Sequence, residues 1–366
     1  MSVCDLAPGY IRAIAPYLPG KPTSELAREL GLEESGIVKL ASNENPLGVS
    51  PKAAVAIRAV LDGLARYPDG NGFDLKQALS RRFGVEPANI VLGNGSNDVL
   101  ELAARSFLTP GQSAVYSQHA FAVYPLAVQA MGAKGIEVPA SNFGHDLLAM
   151  ARAVRPDTRL MFIANPNNPT GTFIDGATLE TFIAQLPPQL LVVLDEAYNE
   201  YLEPQHRYDS IGWLKKYPNL MLTRTFSKVY GLAGLRVGYA LAAPGVADLM
   251  NRVRQPFNVN SLSLAAAAAG LDDEVFVRDS YELNRRGMRQ IVAGLQQLSL
   301  NYIPSYANFI TFKVPGAAAV FQKLLKAGVI VRPIANYGMP DHLRVSIGLE
   351  SENARFLEVL QQALAA

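Results

Sequence analysis

Between residues 90 and 242, short apolar runs alternate with stretches whose apolar positions recur at helical spacing. The runs fall at 90–92, 114–116, 136–138, 160–163, 190–194, 220–222 and 237–241, and the helical patterns include 98–107, 123–131 and 179–186. Runs that are apolar throughout, rather than at every second position, suit strands covered on both faces. Their alternation with helices predicts an α/β unit: a mainly parallel seven-stranded sheet with helices on both faces. The run at 237–241 follows the segment 228–236 too closely for a crossover helix, so this strand is expected to run antiparallel.

After about residue 255 the pattern changes. A long helix is expected over 273–298, short strands over 308–314, 328–331 and 343–347, and helices over 317–327 and 351–365. This is a smaller α+β unit. Residues 1–44 carry Pro8, Pro16, Pro19 and Pro22 ahead of a short helix at 23–30 and are too few to fold alone. They are expected to pack as an arm on the C-terminal unit or on a neighbouring subunit. The expected division is therefore an arm at 1–44, a large domain at 45–255 and a small domain at 256–366, which suits a chain of 366 residues.

With 49% hydrophobic and 18% charged residues, the chain falls outside the disordered classes. Lys and Arg total 33 against 32 for Asp and Glu, so the basic excess that nucleic-acid binding requires is missing. The single Cys4 and four scattered histidines offer no metal-ligand spacing. Asp5, Arg12 and the prolines interrupt any secretory leader in the first twenty residues, and the alanine-rich stretch 262–271 is too short to cross a bilayer. A cytoplasmic protein with small-molecule substrates, and neither membrane nor nucleic acid as partner, is expected.

Four loops carry candidate chemistry. Gly93-Asn94-Gly95-Ser96-Asn97-Asp98 follows one strand and opens a helix, a place where small residues and free N–H groups can receive an anion or simply make a capped turn. The third glycine of a dinucleotide fingerprint is absent. Asn165-Pro166-Asn167-Asn168-Pro169-Thr170-Gly171 lies at the carboxyl end of a strand, where open α/β sheets bind ligands. Asp195-Glu196-Ala197-Tyr198 puts a carboxylate at the exit of an apolar strand, where it serves as a helix cap, a salt-bridge partner or a functional group. Lys228, flanked by Phe226, Val229 and Tyr230 and followed by a glycine-rich segment, has the setting of a desolvated amine.

Taken together, N-P-N-N-P-T-G, D-E-A-Y and S-K-x-x-G-L-A-G-L-R-x-G resemble the fold-type-I aminotransferases that use pyridoxal 5′-phosphate, across nearly the whole chain. The resemblance implies that Lys228 forms a Schiff base with the cofactor and moves the α-proton. Asp195 would face the pyridine nitrogen, and Tyr198 and Asn168 the ring O3′. Gly95, Ser96, Asn97, Thr225, Ser227 and Arg236 would cradle the phosphate, and Phe121 would stack on the ring. Two positions depart from many relatives: Phe121 stands where they carry Tyr, and Asn97-Asp98 where they carry Asp-Glu.

Within that family, the segments 16–22, 40–48, 66–70, 331–333 and 343–348 are most similar to the histidinol-phosphate aminotransferases. The implied reaction joins L-histidinol phosphate and 2-oxoglutarate in histidine biosynthesis. Arg344, assisted by Arg332 and Tyr17, would bind either the phosphate ester or the α-carboxylate of the substrate, since a guanidinium fork suits both. Tyr67 would reach the cofactor or substrate from the second subunit of a homodimer. An aromatic amino-acid aminotransferase and a threonine-phosphate decarboxylase share the same core motifs; a non-catalytic ligand-binding protein ranks lower, because Lys228 and all its supporting groups are present.

Overall fold

The computed structural model describes residues 2–17 and 20–365. Met1 and Ala366, at the outer ends of the expected arm and small domain, and Leu18 and Pro19, within the motif at 16–22, lie outside the described residues. In chain order the strands are β1 (Val38–Lys39), β2 (Ile90–Gly93), β3 (Ser113–Ser117), β4 (Lys134–Val138), β5 (Thr158–Ala164), β6 (Leu191–Asp195), β7 (Leu220–Thr225), β8 (Gly238–Ala242), β9 (Tyr302–Ile303), β10 (Phe309–Lys313), β11 (Val329–Ile330), β12 (Arg332–Pro333) and β13 (His342–Ser346).

Seven of them form one sheet in the order β2-β8-β7-β6-β5-β3-β4. Side chains alternate across a strand, and β6 shows the consequence. Val192 and Leu194 enter the core on one face with Leu75, Leu79, Ile163 and Leu222. Leu191 and Val193 enter the other with Phe162, Tyr124 and Leu102. Both faces are covered, which is why the strands read as unbroken apolar runs. As expected, β8 is the antiparallel member, paired with β2 and β7. Between Thr225 and Gly238 the chain makes only a short 3-10 turn at Ala233–Leu235, and Arg236 takes a positive φ of 56° to reverse it.

The second unit is the antiparallel sheet β12-β13-β10-β9. It is packed by Ile291 and Leu295 of the long helix Glu274–Gln297, Val320 and Leu324 of Ala317–Lys326, and Phe356 and Leu360 of Glu350–Ala365. The single strand expected at 328–331 is replaced by two. β11 pairs in parallel with β1 of the arm, and the chain then passes into β12, where Arg332 lies opposite Arg344. The arm's own β-strand recruits the first half of that run, so the periodicity of 328–331 alone did not reveal the break.

Packing also qualifies the division expected from the sequence. The helix Ser261–Leu271, assigned there to the small unit, places Ala266, Ala267 and Leu271 in the core beneath the large sheet, against the helices Pro51–Ala59 and Phe73–Phe83. Its small side chains let the helices approach closely. The arm lies on both units: Leu26 packs with Leu325 and Ile330 of the small one, whereas the Tyr10 ring lies against Gly132, beyond the helix Val123–Ala130 of the large one. The connecting segment brings Tyr17 and Gly20 to the wall of a cavity between the units.

Candidate active site

Parallel strands bring their carboxyl ends to one edge, and here β5, β6 and β7 deliver Ala164, Asp195 and Thr225 to a cavity of about 350 Å³. Of the residues singled out from the sequence, the cavity brings together Tyr17, Ser96, Asn97, Phe121, Asn168, Asp195, Tyr198, Thr225, Ser227, Lys228, Arg236, Arg332 and Arg344. Gly95 sits directly behind this wall. Tyr67 does not join them: its ring is 82% exposed and stacks on Phe257 with centroids 4.7 Å apart.

Two adjacent carboxylates end β6, and their partners separate their roles. Glu196 is fully buried and forms an ion pair with Arg224 at 2.9 Å, supported by Ser210. Asp195 faces the cavity edge and, among the described residues, takes hydrogen bonds rather than an ion pair: the Tyr124 hydroxyl donates at 2.8 Å and the Ala197 amide at 3.3 Å. Burial pushes its pKa upward, opposed by the Tyr124 hydrogen bond. A buried carboxylate without a fixed cation suits a ligand that supplies one. The salt-bridge alternative belongs to Glu196, one residue further on.

Lys228 donates to the Ser42 carbonyl at 3.0 Å and lies 5.8 Å from the Tyr198 ring centre. Burial, reinforced by the Arg344 charge, lowers its pKa to about 7. The Tyr198 hydroxyl accepts from Asn43 Nδ2 at 2.9 Å, and burial raises its pKa to about 12, so it keeps its proton for donation. Arg344 donates to Asn168 Oδ1 at 2.5 Å and to the Ala41 carbonyl at 2.7 Å, and its buried Nε has no hydrogen-bond partner among the described residues. Arg332 lies 5.7 Å from the Tyr17 ring centre.

At the other end, Gly95 (φ 83°) precedes the helix Ser96–Phe107, whose first N–H groups are free of helical partners. The positive φ of Gly95 favours glycine, and without a Cβ there the Arg236 guanidinium can close over the helix start. Arg236 also donates to Ser227 Oγ at 3.4 Å, and Thr225 Oγ1 accepts from the Ser227 amide at 3.1 Å. A helix N-terminus, a guanidinium and two hydroxyls make an anion cradle.

A family model for aminotransferase class I and II matches residues 35–360. The chain belongs to that family. It is 64% identical over all of its length, and 93% of the other's, to histidinol-phosphate aminotransferase 2 of Nitrosospira multiformis. It is 62% identical to histidinol-phosphate aminotransferase 1 of Dechloromonas aromatica, with both chains covered completely. Among solved structures, the histidinol-phosphate aminotransferase of Sinorhizobium meliloti in complex with pyridoxal 5′-phosphate superimposes with a TM-score of 0.88 at 28% identity, covering 98% of this chain and 97% of that one. The architecture is that of a fold-type-I aminotransferase.

The aminotransferase site contains further residues that the motif-based selection missed. Asn43 ties Tyr198 to the small unit, since its backbone amide donates to Ser346 Oγ (2.8 Å) and its carbonyl accepts from Asn308 Nδ2 (3.0 Å). Tyr124 holds Asp195, and Tyr337 and Glu44 line the wall. Tyr124 follows Phe121 by one helical turn, a spacing that could have pointed to it; the contacts of Asn43 with Ser346 join residues far apart in sequence and leave no local signal.

The lowered pKa of Lys228 leads to a test. A neutral amine is the reactive form, so in the cofactor-free protein the rate of Lys228 acylation, followed by peptide mass spectrometry, should rise with a midpoint near pH 7. Surface lysines should keep rising toward about pH 10. A midpoint for Lys228 near theirs would contradict its desolvation.

Proposed function

We propose that the chain transfers the amino group of L-histidinol phosphate to 2-oxoglutarate, giving imidazole acetol phosphate and L-glutamate, in histidine biosynthesis. The observation that carries this reading is the full-length identity above 60% to relatives bearing that enzyme's name. The cavity agrees with it, because both substrates bring an anion and Arg344 lies beside Lys228 with Arg332 nearby.

The cofactor is pyridoxal 5′-phosphate, and the residues fit it. The cradle of Ser96, Asn97, Thr225, Ser227 and Arg236, with Gly95 leaving room, suits the phosphate; Asp195 suits a protonated ring nitrogen; Lys228 suits the aldehyde carbon. Phe121 in the wall would cover a ring face, and the Tyr198 hydroxyl and Asn168 amide would approach the ring oxygen. When bound, the cofactor supplies the electron sink that makes the α-hydrogen of an amine acidic.

The chain's own groups then divide the work. Asp195, whose pKa burial pushes upward against the hydrogen bonds from Tyr124 and the Ala197 amide, would find its counter-charge in the ring N–H opposite it. Lys228, with a pKa brought to about 7, accepts and returns the α-proton at Nζ near neutrality. Arg344, with Arg332 and Tyr17, fixes the phosphate or carboxylate so that the α-hydrogen faces Nζ.

We further propose that the enzyme is a cytoplasmic homodimer with shared sites. Among the described residues no helix is long and apolar enough to cross a membrane. The exposed side chains Leu47, Leu61, Leu64, Tyr67, Phe73 and Phe257 support an apolar contact between subunits, with Tyr67 reaching the partner's cavity.

Two experiments test these readings. The purified enzyme should turn over glutamate with imidazole acetol phosphate at a higher kcat/KM than with phenylpyruvate, and release no carbon dioxide from threonine phosphate. Preference for phenylpyruvate would favour an aromatic aminotransferase, and decarboxylation would favour the phosphate decarboxylase. For the shared site, inactive Lys228→Ala and Tyr67→Ala proteins should be unfolded and refolded together. About half the dimers would be mixed, each with one intact site, returning roughly a quarter of wild-type activity. If Tyr67 serves its own chain, no activity returns.

A further inference from the structure

The charged side chains lining the cavity, among the described residues, are the cations Lys228, Arg236, Arg332 and Arg344 and the carboxylates Asp195 and Glu44. Asp195 is buried and held by Tyr124 and the Ala197 amide. Glu44 has no part in the roles assigned above. Its side chain is 43% exposed and accepts from Lys39 Nζ at 2.9 Å. It follows directly on the stretch whose Ala41 and Ser42 carbonyls receive Arg344 and Lys228, so it leaves the backbone beside the anion-binding arginine and the reactive amine. Its negative charge is felt at Lys228, where it raises the pKa against the larger lowering by burial.

The two amino donors of the proposed reaction differ at the end of their side chains. Glutamate ends in a carboxylate, which a cation-rich cavity welcomes. Histidinol phosphate ends in an imidazole, whose N–H needs an acceptor and whose protonated form needs a counter-charge. Once Asp195 is committed, Glu44 is the remaining carboxylate of the lining. Lys39 rests on β1 behind it, and its ammonium has donors enough to hold Glu44 and a second carboxylate together.

Resting on the reading of the reaction given above, we propose that Glu44 determines specificity for the imidazole side chain by accepting its N–H, and that Lys39 lets the same place receive the distal carboxylate of glutamate. One ion pair thus offers an acceptor to one substrate and a donor to the other. Were it only a surface ion pair, removing it would leave both half-reactions as they are.

Rapid mixing of the holoenzyme with L-histidinol phosphate and, separately, with L-glutamate reads each half-reaction from the cofactor absorbance. Glu44→Gln keeps the size of the side chain and removes its charge. Its second-order rate constant with histidinol phosphate should fall about tenfold or more, while that with glutamate falls far less or rises. Lys39→Met should shift the ratio the other way. Circular dichroism and thermal melting establish that both variants are folded. Equal losses with both donors would mean that Glu44 acts through Lys228, and no loss with either would mean a surface ion pair; each overturns the assignment. If the wild-type holoenzyme reacts with glutamate but not with histidinol phosphate, the reading of the reaction fails and takes this one with it.

Discussion

A carboxylate is held out of water at the end of β6 with no guanidinium or ammonium bound to it among the described residues. Burying such a charge costs several kcal/mol in the absence of compensation; burial accordingly pushes the Asp195 pKa upward, and the hydrogen bonds around it oppose that push. Tyr124, fully buried and stacked on Phe162 at 4.7 Å, donates from one side, and the Ala197 amide donates from the other. The neighbouring Glu196, not Asp195, takes Arg224. Across the cavity, Lys228 supplies an amine whose pKa is brought down to about 7.

The N-terminal arm completes that arrangement from outside the large sheet. Its residues 41–44 lie between the units, and their carbonyls and amides hold Arg344, Lys228, Tyr198 and Ser346. A segment too short to fold alone is thereby fixed by the groups it positions, and β1 anchors it to β11. The proposed substrate contacts therefore draw on residues spread over most of the chain, while the proposed cofactor contacts lie largely on loops at the ends of adjacent strands.

That difference explains how much was legible in the sequence. The cradle at Gly95–Asn97, the loop at Asn168, the Asp195–Tyr198 turn and the Lys228–Arg236 segment are each contiguous, so local chemistry and family resemblance found them together. The sheet was legible because strands buried on both faces are apolar throughout, and the antiparallel β8 followed from the short link before it. What escaped depends on partners distant in sequence. Nothing local shows that Val329–Ile330 pairs with Val38–Lys39, that the alanine-rich helix Ser261–Leu271 packs beneath the large sheet, or that Asn43 meets Ser346. Tyr67 lies away from its own chain's cavity, with its ring stacked on Phe257.

The charge of Asp195 is the claim on which the chemistry turns. Asp195→Asn keeps the side chain's size and removes that charge. The measurement is exchange of the glutamate α-hydrogen in deuterated water, followed by NMR, with cofactor content determined from absorbance on the same sample. The variant should retain the cofactor while exchange slows by about a hundredfold or more, a loss of at least ~2.7 kcal/mol of transition-state stabilisation. Full cofactor content with exchange slowed less than about tenfold would show that Asp195 only shapes the site.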